Sequence, residues 1–133
     1  MQLNSYVTYN GQCEEAFRFY ERTLGGKIET SMKFRGSPME KHIPEVHLDK
    51  IMHASLKLGD SMLMGSDPPP GRYEQPKGFP VSLAVNDPAE ADRIFQAFAE
   101  GGAITMPIMQ TFWARRFGML VDRFGTPWMV NCQ

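Results

Sequence analysis

The chain has 133 residues, a formal net charge of −1, and 42% hydrophobic against 22% charged residues. This is the composition of one ordinary globular domain, long enough to bury a core. It shows no basic excess of the kind that holds nucleic acid, and no apolar run nears the roughly 20 residues of a membrane span.

The opening MQLNSYVTYN has neither the basic nor the apolar region of a secretory signal, so cytoplasmic residence is expected. SYVTY reads as a strand, although Asn4, Tyr6 and Thr8 leave its faces poorly distinguished. From Gln12 to Leu24 the apolar residues Ala16, Phe19, Tyr20 and Leu24 follow helical spacing. Gly25-Gly26 then suits a left-handed C-terminal cap. KIETSMKF is strand-like, and KHIPEVHLDK is a loop carrying His42 and His47. Their spacing matches no compact metal motif, and solvated loop histidines are the plain reading. The alternative is ligation together with Glu45 or Asp49.

In IMHASLKL, alternation puts Met52, Ala54, Leu56 and Leu58 on one face and His53, Ser55 and Lys57 on the other. His53 is either a histidine hydrogen-bonded across strands or a pocket residue that orients a polar ligand or moves a proton. A Gly59-Asp60 turn leads to SMLMGS, and the proline-rich DPPPGRYEQPK, residues 67–77, forms a linker.

The second half repeats the plan. FPVSLAV places Phe79, Val81, Leu83 and Val85 on an apolar face, with Pro80, Ser82 and Ala84 opposite. A helix from Pro88 to Glu100 carries Ala91, Ile94, Phe95 and Phe98 on its buried stripe. Asp87 is placed to cap it, with Pro88 at its first position and Glu90 completing a capping box. AITMPI, RRFGMLVD and PWMVNC supply three more strands. The loop QTFWARRFG offers Phe112, Trp113 and Phe117 as flat apolar surface and Arg115 and Arg116 as a fork for an anion. Its plain reading is core aromatics with one solvated arginine.

The closing DRFGTPWMVN is either a turn feeding a buried strand or one wall of a site. In it Trp128, Val130 and Cys132 share one face, with Pro127, Met129 and Asn131 opposite. Asp60 and Asp122 are expected to shape turns. Cys13 and Cys132 are expected as buried small hydrophobes rather than a disulfide.

The order β-α-β-β-β therefore occurs twice, about 1–66 and about 78–133, which predicts an α+β fold. Each sheet has an apolar face under its helix and a mixed face with Met64, Pro80, Ala84 and Met129. These are poor residues for a wetted sheet, which favours a cavity lining.

The stretches NGQCEEAFRFYERTLGG, KIMHASLKLGDSMLMGSDPPPG, GFPVSLAVNDPAEADRIF and TFWARRFGMLVDRFGTPWMVN resemble the vicinal oxygen chelate superfamily of glyoxalases, bleomycin-resistance proteins and dioxygenases. The match is closest to its PhnB-like branch. The resemblance implies an open, cup-like mixed sheet with helices on its outer face, completed in a homodimer. It also implies four metal-ligand positions, usually His or Glu, which here fall on Ser5, Met64, Pro80 and Met129. None is a usual ligand for Zn, Ni or Fe. Some members of the branch carry a ubiquinone-methyltransferase label, but no glycine-rich methyl-donor loop follows a strand here. No nucleophile elbow, phosphate loop or metalloprotease motif is present either.

The expectation is a metal-independent small-molecule binding protein without cofactor. Met64, Trp113 and Met129 would give contact area, and His53, Arg116 and Asn131 would orient the ligand. The alternative is a metal-dependent lyase or dioxygenase-type enzyme with a displaced metal site built on His53 and the loop histidines. A structural protein without ligand is the third possibility.

Overall fold

Each half of the sequence folds into a four-stranded mixed sheet with one helix packed on one face. The computed structural model describes residues 1–133, which separate into two compact units, Met1–Gln75 and Pro76–Gln133.

In the first unit the strands are β1 (Ser5–Thr8), β2 (Lys27–Lys33), β3 (Ile51–Leu58) and β4 (Ser61–Ser66), with helix α1 (Cys13–Leu24). The sheet order is β1-β4-β3-β2, with β1 parallel to β4 and the other pairs antiparallel. Helix α1 buries Cys13, Ala16, Phe17, Tyr20 and Thr23. The buried stripe thus uses Phe17 where periodicity selected Phe19, which is half-buried at its margin. The helix ends as expected: Gly25 adopts φ 77° and its N–H donates to the carbonyl of Glu21. The Glu21 carboxylate in turn accepts from the N–H of Ile28 at 2.7 Å, tying the helix end to the start of β2.

The second unit has β5 (Val81–Ala84), α2 (Pro88–Ala99), β6 (Ala103–Met109), β7 (Arg116–Val121) and β8 (Pro127–Cys132). Its order, β5-β8-β7-β6, repeats that of the first sheet, again with one parallel pair, β5 with β8. Helix α2 buries the expected Ala91, Ile94, Phe95 and Phe98. Asp87 accepts from the N–H of Glu90 at 3.1 Å, which is half of a capping box. The Glu90 side chain turns to Arg93 instead of closing the other half. Gly118 in β7 lets the helix approach: a Cβ there would lie 2.6 Å from the Phe95 ring. Phe79 departs from its predicted apolar face; it precedes β5 and is 55% exposed.

Two buried carboxylates organise the connections. Asp67, 1% exposed, accepts from the N–H of Cys13 and the N–H of Ile51, both at 3.0 Å. It thereby joins the end of β4 to the starts of α1 and β3. Asp122 accepts from the N–H groups of Phe124 and Thr126, and from the Trp128 indole N–H at 2.8 Å. Its expected role as a turn residue holds, extended to fixing the ring that α2 covers through Phe98. Cys13 and Cys132 are both buried free thiols.

Candidate functional site

Strand pairing fixes which side chains share the face that each helix leaves uncovered, because directly opposed residues point the same way. In the first sheet one such row is Tyr6, Met64, Ser55 and Thr30; the next contains His53 beside Met32. In the second sheet one row is Ser82, Met129 and Met119, extended by Met106, and the next is Ala84, Asn131 and Phe117, extended by Met109; the β6 register is irregular on either side of Met106. Met64 and Met129 occupy matching places in the two sheets, each beside the parallel edge strand.

His53 and Met64 therefore come together on the open face of the first sheet. His53 Nδ1 lies 3.2 Å from the Tyr6 hydroxyl, and the two rings stack with centroids 5.7 Å apart. They reach across β4, which runs between their strands. Tyr6, 45% exposed, was hidden by the ambiguous faces of SYVTY. Val7, the one aliphatic residue of SYVTY and buried in the fold, marks the inward face, and its neighbour Tyr6 therefore points outward.

Met129, Asn131 and Trp113 come together on the second open face. Met129 receives a weak hydrogen bond from the Ser82 hydroxyl, Oγ to Sδ 3.9 Å. Trp113 reaches the face through Phe117, with ring centroids 5.4 Å apart. The loop before β7 is held by Thr111, whose N–H donates to the carbonyl of Ala114 and whose Oγ1 accepts from its N–H. That turn leaves Phe112 96% exposed and Trp113 47% exposed at its tip. Asn131 Oδ1 is buried without a hydrogen-bond partner.

Arg116 does not join them. Its strand position is shared with Gly118 and Leu120, so the side chain turns to the helix and pairs with Asp92 at 2.9 Å. Arg115 is bound to the carbonyls of Gln133 and Asn86 at 2.7 and 2.9 Å. The anion fork read from adjacent arginines is thus two separate structural anchors, one on each side of the strand.

Of the four positions that the resemblance assigns to metal ligands, Ser5 also changes place. It opposes Leu63 and shares a face with Val7, under the helix, and Tyr6 takes the outward position. Tyr6, Met64, Pro80 and Met129 do not make a donor set for Zn, Ni or Fe. His47, expected in solvent, is buried against Phe34, and its Nε2 donates to the carbonyl of Asp67 at 3.1 Å. The plain-loop expectation for it is therefore corrected: its nitrogen helps to fold the loop onto the end of β4. His42 is exposed, and no three His, Cys, Asp or Glu side chains gather where one ion could meet them. A cleft of about 440 Å³ lies on the helix side of the second sheet, between α2 and β6, lined by Phe95, Ala99, Ile104, Pro107 and Ile108.

Two tandem βαβββ units, each with an open mixed face, define the class of paired-module proteins that resemblance suggested. The chain belongs to the Glyoxalase/Bleomycin resistance protein/Dioxygenase superfamily, whose profile matches residues 2–130. Protein YjdN of Escherichia coli strain K12 is 32% identical over 142 residues, covering 98% of this chain and 95% of YjdN. Among solved structures, protein PA1353 from Pseudomonas aeruginosa is 48% identical with a TM-score of 0.91, covering 100% of this chain and 98% of its own. A PhnB protein from Bacillus cereus superposes with a TM-score of 0.82 at 20% identity, covering 100% of both chains. The last likeness is one of fold. No helix is long and apolar enough to cross a membrane.

Proposed function

We propose that this protein binds a small organic molecule without a metal, as a cytoplasmic homodimer. The observation that carries the reading is the make-up of the open faces. Met64 and Met129 stand half-buried where metal-dependent relatives are expected to carry ligands, and aromatic and hydroxyl side chains surround them. Such surfaces are apolar and adaptable, and suit a ligand held by contact area with a few polar anchors. His53 with Tyr6 is the polar anchor of the first face; Asn131 and Ser82 serve the second. The homodimer reading rests on the sheet edges: β2 and β6 end their sheets and expose most of their residues.

The enzyme alternative needs His53 and the loop histidines to meet at one ion. His47 is instead engaged with the Asp67 carbonyl, while His53 pairs with Tyr6. The deciding experiment is elemental analysis of untagged protein, combined with native mass spectrometry. The expected result is no stoichiometric Zn, Ni, Fe or Mn, together with an organic mass that is released on denaturation. About one such metal per chain would overturn the reading.

A further inference from the structure

We propose that Met106, Met119 and Met129 form a binding site for a soft monovalent cation, Cu(I) or Ag(I), on the open face of the second sheet. This goes beyond the reading above; because Met129 is shared, the cation and an organic ligand on this face would exclude one another, while the cation site itself requires no organic ligand. Met119 opposes Met129 in a regular antiparallel ladder, and Met106 opposes Met119 from β6, between two irregularities of that strand's register. In the regular Met119–Met129 pair the side chains start about 5 Å apart at Cβ, and the flexible, unbranched methionine side chain can bring Met106 to them from the irregular strand. Ten methionines in 133 residues would place well under one on an average four-residue row.

The donors select the ion. A thioether is neutral, polarisable and a poor ligand for hard or borderline divalent metals, whereas Cu(I) and Ag(I) favour it. No His, Cys, Asp or Glu shares the row that would attract Zn instead. All three sulfurs sit on half-buried residues, so an ion can reach them while being partly shielded from water. The Ser82 hydroxyl on Met129 Sδ engages one side of that sulfur and leaves another lone pair free. Because thioethers need not lose a proton to ligate, binding at this site is independent of pH between about 5 and 8, unlike binding at a His or Cys site.

The test uses the full-length, reduced, untagged chain labelled with ¹³C at the methionine methyls. Silver nitrate is the probe, and zinc chloride the control. At about one equivalent of Ag(I), the methyl signals of Met106, Met119 and Met129, assigned through single leucine variants, are expected to shift together, with none moved by Zn(II). Met119→Leu preserves volume and is expected to weaken Ag(I) binding about tenfold or more, with an unchanged amide spectrum. Saturation that leaves these three signals in place overturns the proposal, as it would if silver went to Cys13 or Cys132. So does a Met119→Leu protein that binds silver as tightly as the parent.

Discussion

The Trp128 indole N–H donates to the Asp122 carboxylate at 2.8 Å, so the turn before β8 holds the largest side chain on that strand's helix face. The other carboxylate oxygen accepts from the Phe124 and Thr126 N–H groups, which makes the turn and the ring one unit. Asp122→Ala would leave three donors without this acceptor. The expected loss is about 3 kcal/mol, the scale of breaking a buried charged hydrogen-bond network. Asp122→Asn keeps an acceptor and should lose less. Urea unfolding of the two variants checks the order; an Ala variant as stable as the parent contradicts it.

Asp67 performs the corresponding service in the first unit through Cys13 and Ile51. Asp67→Ala should destabilise the protein by about 2 to 4 kcal/mol, since two buried N–H groups lose their acceptor. Hydrogen exchange should quicken at the Cys13 and Ile51 amides more than in the rest of the unit. Uniform acceleration across all amides would mean that Asp67 acts without specific ties.

The two carboxylates show how far the sequence could be read. The repeated β-α-β-β-β order, both helices and the faces of β3 and β8 follow from periodicity, because half-buried elements write alternation into their residues. The Asp122 turn was readable from DRFG, a short local motif. Asp67 was not, because its partners lie 54 and 16 residues away and nothing local marks them. Arg116 failed for a related reason. Its chemistry suits an anion, but its direction depends on strand parity, which is set by Gly118 and Leu120 lying under the helix. Ser5 and Phe79 failed where strands are short or only begin, since a few residues carry little pattern.

Burial pushes the Cys13 thiol pKa up, with the Asp67 and Glu14 carboxylates adding to the shift. A raised folded pKa means that the stability it contributes is fully present below the unfolded thiol's value of 9.0 and is lost as pH rises beyond it. Cys13 should therefore resist thiol reagents at pH 8 until the chain unfolds. Between pH 8 and 10.5 the parent should lose more stability than Cys13→Ala, which lacks the titrating group. Equal losses in urea midpoint would remove the thiol from the explanation.

The uncovered edges β2 and β6 lead to an expectation about assembly. Sedimentation at tens of micromolar, a range estimated for ordinary dimers, should show a homodimer. A monomer throughout that range would sink the dimer proposal.

The adjacent residues Trp128 and Met129 give the sharpest test of the open face. Trp128 is 2% exposed and packs edge-on against Phe98 of α2, with centroids 4.8 Å apart. Met129 points the other way, half-buried beside Ser82 and Met119. A carboxylate at 129 can therefore reach water, whereas one at 128 is forced into a dry interior beside Asp122, at a cost of several kcal/mol. Met129→Glu should fold, weakened by less than about 2 kcal/mol, the scale of an ordinary substitution. Trp128→Glu should fail to fold or be insoluble. Because strand alternation alone separates the two outcomes, circular dichroism and urea unfolding suffice to read them. Collapse of both variants would make the methionine face a packed core, and a milder Trp128→Glu would reverse the faces. Either result removes Asn131 from the ligand-binding face together with Met129.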